Sequence, residues 1–242
     1  MKKMLLAALL IAMLVPAASA QLISARSSSA VRNGNGPQTV VHNPKAPKYC
    51  KPCLYYSGDT DSNYSGGANA LWDDNFTSLG VDGTVWSTFK VKANASATGL
   101  FINSFTSTTT ASLINPTSYT ISKKISEGNG GKVVCTGAAT ATATLTGRTN
   151  TNFFVPYEFT IQIKKLKKAC ALKKGTEYWE NVYPTADDYW YESDSEENLN
   201  HFGAKSIPGQ AFFNSTYFGV NFTNASNEGA GFDDFSGGVT GK

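Results

Sequence analysis

Beyond Cys50 the chain runs in short stretches rich in Thr, Val, Ile, Phe and Tyr, broken by Gly, Asn, Asp and Pro. In TVWSTFKV, Val85, Ser87, Phe89 and Val91 alternate with Trp86, Thr88 and Lys90. In YEFTIQI, Tyr157, Phe159, Ile161 and Ile163 alternate with polar partners. A period of two with one apolar face predicts antiparallel strands in a sheet covered on one side. The same texture predicts strands over 52–57, 71–77, 84–92, 98–106, 117–125, 132–146, 153–164, 176–183, 187–192 and 210–223. SEGNGGK, residues 126–132, reads as a hairpin connection between the runs around Ile121 and Val133. No stretch sustains the 3.6-residue period of a helix. The fold class expected is therefore all-β: an antiparallel β-sandwich of jelly-roll type.

The ends read differently. Lys2 and Lys3, an apolar run from Met4 to Val15 and the triplet Ala18-Ser19-Ala20 form a secretory signal peptide over 1–20, with cleavage after Ala20. The run is too short for the roughly 20 residues a membrane-spanning helix needs, so no transmembrane segment is expected in the mature chain. Residues 21–48 hold four basic residues, no acid and no aromatic, and read as a flexible basic arm. The sandwich is expected over 49–225, and the Gly- and Asp-rich residues 226–242 as a tail.

The whole chain carries a formal charge of +3, and removing the signal with its two lysines leaves +1. A chain so near neutrality has no global field to draw nucleic acid, which is excluded as an expected partner. Charge is instead local: six lysines lie between 164 and 174, and eight acids with no lysine or arginine lie between 177 and 197. These blocks read as solvated loops that neutralise one another. Cys50, Cys53, Cys135 and Cys170 allow three connectivities in an exported protein. The Cys50-Lys-Pro-Cys53 spacing sits in a Pro- and Lys-rich lead-in rather than at a helix start. The second pair is too widely spaced for a four-cysteine zinc site. Structural pairs 50–53 and 135–170 are favoured.

Three short motifs occur in order: Leu54-Tyr55-Tyr56-Ser57-Gly58, Trp72-Asp73-Asp74-Asn75-Phe76-Thr77 and Leu172-Lys173-Lys174-Gly175-Thr176-Glu177-Tyr178-Trp179, followed by Trp190. In this the chain resembles bacterial exported β-sandwich proteins of the kind that often carry PEP-CTERM sorting tails. It departs from them in having four cysteines and no sorting tail. The resemblance implies export and a sandwich and brings no established activity.

Candidate chemistry is sparse. His42 and His201 are the only histidines, and no G-x-S-x-G elbow occurs, so an enzyme is not expected; a secreted hydrolase is the remote alternative. Asp59, Asp61 and Asn63 alternate as in a calcium loop, but Tyr64 and Ala70 stand where an EF-hand needs Gly and Glu. With Asp73 and Asp74 they would form a non-EF calcium site; otherwise they make Asx turns. No cofactor is required. Tyr178, Trp179, Tyr189 and Trp190 lie beside the acidic stretch and would suit a carbohydrate-binding module stacking on sugar rings, whereas strand alternation buries about half of such rings. Gly175 turns the chain into that strand, and Tyr178 and Trp179 are expected on opposite faces, one inward and one outward. The function expected is an exported, non-catalytic sandwich with a structural or binding role, its partner an extracellular glycan or a cell-surface component.

Overall fold

The computed structural model describes residues 46–59, 75–76, 81–149, 156–186, 191–192, 194–195, 201–204, 210–216, 219–225 and 234–242. Seventeen strands and no helix occur among them. In chain order they are β1 (Cys53–Tyr56), β2 (Asn75–Phe76), β3 (Val81–Asp82), β4 (Thr84–Phe89), β5 (Ala95–Thr106), β6 (Leu113–Lys123), β7 (Lys132–Ala139), β8 (Thr142–Thr149) and β9 (Tyr157–Ile163). Then come β10 (Cys170–Leu172), β11 (Tyr178–Ala186), β12 (Tyr191–Glu192), β13 (Asp194–Ser195), β14 (Phe212–Ser215), β15 (Val220–Asn224), β16 (Asp234–Phe235) and β17 (Gly237–Gly241).

Two open sheets face each other. The first runs β1-β17-β5-β9-β8, with β10 and β12 also paired to β5. The second runs β15-β14-β4-β11-β2-β3, with β6 on β11 and β7 on β6. Pairing is antiparallel except where β11 meets β2. Between the sheets lies one apolar core built from both: Tyr55, Leu100, Ile102, Phe159, Ile161, Ile163 and Val239 from the first, Phe89, Tyr119, Ile121, Tyr178 and Val182 from the second. These are the alternate positions that the period of two selects. The all-β sandwich expectation holds.

Several boundaries differ from expectation for physical reasons. The run 132–146 is two strands, β7 in the second sheet and β8 in the first, so the chain changes sheets at Thr140 and Ala141. Likewise, 210–223 is a hairpin, β14 and β15, not one strand. The connection at 126–132 is a hairpin turn as expected, with Ser126 bridged to Asn129. The largest correction concerns the C-terminus, where β17 is a buried strand between β1 and β5 rather than tail. Its glycines answer to crowding: a Cβ at Gly238 would lie 2.5 Å from both the Phe101 ring and the Tyr55 carbonyl oxygen. The terminal residue is pinned as well, Lys242 N–H donating to Ser96 O at 3.0 Å and Ser96 N–H to Lys242 O at 2.6 Å.

Both favoured disulfides are present, Cys50–Cys53 with Cα atoms 4.7 Å apart and Cys135–Cys170 with Cα atoms 6.0 Å apart. The second ties β7 of the second sheet to β10 of the first, closing the sandwich across its two layers. Among the described residues no helix is long and apolar enough to cross a membrane.

Candidate functional site: the polar outer face of the first sheet

Alternation places Phe159, Ile161 and Ile163 of β9 in the core, so Glu158, Thr160 and Gln162 face away from it. That outward face was expected to meet solvent. Instead Glu158 is fully buried and Thr160 nearly so, because residues 49–59 and Arg148 cover them. The cover is apolar where Tyr49, Tyr56 and Phe101 meet edge-on or tilted, with ring centroids 5.1–6.1 Å apart. It is held by the Cys50–Cys53 bridge and by Gln162 Nε2, which donates to Tyr49 O at 2.7 Å.

Beneath the cover a chain of polar groups links four strands. Thr160 Oγ1 donates to Asn103 Oδ1 at 2.7 Å, and Asn103 Nδ2 donates to Ser236 Oγ at 2.8 Å and to Tyr56 Oη at 3.2 Å. Ser236 Oγ donates to Gly58 O at 2.6 Å, and Tyr56 Oη donates to the Asp59 carboxylate. Arg148 closes the chain: Nη1 reaches Asp59 Oδ1 at 2.6 Å and Nε reaches Glu158 Oε2 at 2.5 Å. Thr146 Oγ1 donates to the same Glu158 oxygen at 2.8 Å. A buried charge costs several kcal/mol unless paired and hydrogen-bonded, and here each carboxylate has the guanidinium and a hydroxyl. Burial acts to lower the Arg148 pKa, but Glu158, Tyr56 and Asp59 outweigh it and hold the guanidinium above its ordinary value. Burial, then Tyr49 and Asp59, push the Tyr56 phenol well above its usual range.

Beside this network the face opens into a groove of about 600 Å³. Its floor is Thr240 of β17, Thr160, Gln162 and the adjoining Lys164 of β9, and Thr144 and Thr146 of β8; Lys48, Tyr49 and Lys51 form one wall and Arg148 one end. Gly99 of β5 lies opposite Thr240 on this face, where a Cβ would meet Thr240 Oγ1 at 2.5 Å, so the floor is flat there.

The residues singled out from the sequence fall elsewhere. Tyr178 and Trp179 do take opposite faces, but neither is exposed. Tyr178 stacks on Phe89 in the core, centroids 5.4 Å apart, and Trp179 packs with Trp86, Ile125 and Phe212 under Phe222. The outward face of β11 is closed because the 126–131 turn meets β15, with Asn221 Nδ2 donating to Gly128 O at 3.1 Å and Asn224 N–H to Glu127 Oε1 at 2.8 Å. Gly130 permits that closure, since a Cβ there would lie 2.6 Å from the Phe222 ring. Neither ring can therefore stack on a sugar, which corrects that part of the carbohydrate-binding expectation. Tyr189 and Trp190 lie outside the described residues.

Of the proposed calcium ligands, Asp59 is taken by Arg148 and Tyr56. Asp61, Asn63, Asp73 and Asp74 lie outside the described residues. No group of three or more His, Cys, Asp or Glu able to hold a metal occurs among the described residues. Glu177 pairs with Lys90 at 2.6 Å, and His201 meets Tyr55 edge-on at 5.5 Å. Sequence reasoning missed Asn103, Arg148, Glu158 and the wall lysines. The signal available was Glu158 itself, an acid inside a strand whose neighbours on both sides are apolar or aromatic.

No family model matches the chain, and no curated protein and no solved structure is detectably similar to it.

Proposed function

We propose that the chain is an exported, non-catalytic β-sandwich that acts by binding outside the cytoplasm, through the outer face of its first sheet. The observation that carries this reading is the division of labour on that face. Glu158 and Asp59, the acids that could transfer protons there, are held by Arg148 and by hydroxyl donors. The groove beside them offers ammonium, hydroxyl and amide groups at its lining. Such a lining can hold a ligand, while general acid–base work needs a carboxyl or imidazole within hydrogen-bond reach of the reacting group. Export is supported by the signal-like first twenty residues, by the resemblance to exported sandwich proteins, and by two disulfides of a kind that persists in oxidising compartments.

Two measurements test the reading. Expression in a secreting host should release a chain beginning at Gln21 with no free thiol, whereas retention in the cytoplasm would contradict export. Incubation with a broad panel of ester and glycoside substrates should give no turnover. Turnover abolished by Glu158→Gln in a folded variant would replace the binding reading with a hydrolase.

A further inference from the structure

Four cations surround the groove, yet they are not equivalent. Arg148 is balanced by Asp59 and Glu158. Lys48, Lys51 and Lys164 are exposed and make no ion pair among the described residues. Among the described residues no aspartate or glutamate lines the groove with them.

The acidic block does not supply the missing charge where its backbone is described. Glu192 of β12 lies opposite Ser104, on the β17 side of β5, whereas Ile163, next to Lys164, lies opposite Leu100 on the other side. Two strand spacings and four residues of rise separate them by roughly 16 Å. That is about twice the screening length of about 8 Å at physiological salt. Glu192 and Lys164, one from each charge block, are thus drawn apart by the fold, which corrects the expectation of mutual neutralisation for that pair.

Between the lysines the lining is uncharged, polar at its threonines and Gln162 and apolar at Leu145. The Thr144 and Thr240 hydroxyls and Gln162 Oε1 make no hydrogen bond among the described residues, and half-buried Tyr49 adds an aromatic side chain. Ammonium groups at the rim, uncommitted hydroxyl and amide acceptors on the floor and an aromatic at the wall are complementary to a chain that alternates anionic groups with hydroxyls. We propose that this groove binds a linear acidic polysaccharide, its carboxylate or sulfate groups on Lys48, Lys51 and Lys164 and its hydroxyls on Thr144, Gln162 and Thr240. The proposal rests on the binding reading above and names the ligand class for that face. A polynucleotide fits less well, because single-stranded nucleic acid is held by several aromatic platforms and among the described residues this lining contains one aromatic ring.

The test is titration calorimetry of the secreted chain against alginate oligomers and dextran sulfate, with neutral dextran, single-stranded DNA and phosphatidylglycerol vesicles in parallel. Saturable binding to one or both acidic glycans is expected, weakening as salt rises and absent with neutral dextran. The triple variant Lys48→Gln/Lys51→Gln/Lys164→Gln should bind about tenfold or more weakly with an unchanged melting curve, because its three side chains are exposed and each exposed ion contact contributes modestly. A control triple on the hairpin of the second sheet, Lys123→Gln/Lys124→Gln/Lys132→Gln, changes net charge equally and should keep wild-type affinity. Equal loss in both triples, no binding to either acidic glycan, or tighter binding to DNA or vesicles would overturn the proposal. Saturable binding to neutral dextran alone would overturn it too while sparing the broader binding reading, which fails on turnover.

Discussion

Each outer face of this sandwich is covered over part of its area, and by opposite means. On the second sheet Trp86, Trp179 and Phe212 are sealed by Ile125, Phe222 and a hairpin turn that folds over to meet β15. On the first, Glu158, Thr160, Asn103 and Ser236 are sealed under Tyr49 and Tyr56 and tied together through Arg148 and Asp59. An apolar face gains from closure alone and leaves nothing for a ligand. A polar face gains only where it pairs the groups it buries; here the two carboxylates are paired while Arg148 Nη2 has no partner among the described residues, and the edge of the face stays open as a groove. The difference places the open groove away from Trp86 and Trp179.

The comparison breaks most visibly under truncation. Trp179→Ala should cost about 3–5 kcal/mol, the range for emptying a buried aromatic site, and it also strands the Gln210 carbonyl that accepts from the indole N–H at 2.6 Å. Arg148→Ala should cost about 3–5 kcal/mol by another route, leaving Glu158 buried without its cation. Denaturant melts distinguish the routes through a rescue. Arg148→Met combined with Glu158→Leu should recover much of the loss, because an apolar pair can replace a buried ion pair, whereas no polar replacement should rescue Trp179→Ala. Failure of the double variant to improve on Arg148→Ala would mean the ion pair is not what holds that face.

The disulfides come next. Replacing Cys135 and Cys170 together by Ala should lower stability by about 3–4 kcal/mol in the chain-entropy model, since that bridge spans a long loop. Replacing Cys50 and Cys53 should cost about 2 kcal/mol, since their loop is short. The second replacement should weaken glycan binding and the first should not, because only the 50–53 bridge sits in the groove wall. Titration of both variants below their melting temperatures checks this.

Alkaline pH separates the faces more gently. The buried Tyr56 phenol holds its proton above the value of an unfolded tyrosine. Its contribution is therefore complete below about pH 10 and is lost as pH climbs from there through the folded value, with a slope of up to about 1.4 kcal/mol per pH unit. Melting temperatures between pH 8 and 11 should fall less steeply in Tyr56→Phe than in the wild type; parallel curves would contradict the assignment. The smallest expected effect is of calcium. With Asp59 engaged by Arg148, millimolar calcium should leave the melting temperature at its chelator value, and a rise abolished by Asp59→Ala would restore the metal reading.

What the sequence made legible follows from what each signal measures. Alternation in TVWSTFKV and YEFTIQI gave the strands and the inward residues, because burial of one face is a local property. It could not report whether the other face is covered, which depends on distant segments such as 49–59 and 126–131 reaching across. Glu158, left to solvent, and the alternative that had Trp179 stacking on sugar rings were overturned for that one reason. The strand β17 was hidden differently: Gly237, Gly238 and Gly241 give it the composition of a tail, and only the close approach of neighbours explains them, Glu180 at Gly237, Phe101 and Tyr55 at Gly238, and Ser96 and Leu54 at Gly241. The cysteine pairing was legible because spacing, with a first twenty residues that read as a signal peptide, favours these two pairs. The groove was not, since Lys164 stands far from Lys48 and Lys51 in the chain and meets them only through the fold.

The most direct test is to map amide chemical shifts of the labelled chain on titration with an alginate tetrasaccharide. The account predicts saturable changes concentrated at Tyr49, Lys51, Thr144, Gln162, Lys164 and Thr240, with Trp86, Trp179 and Phe222 unmoved. Changes centred on those aromatic residues and the 126–131 turn, with the groove silent, would contradict it.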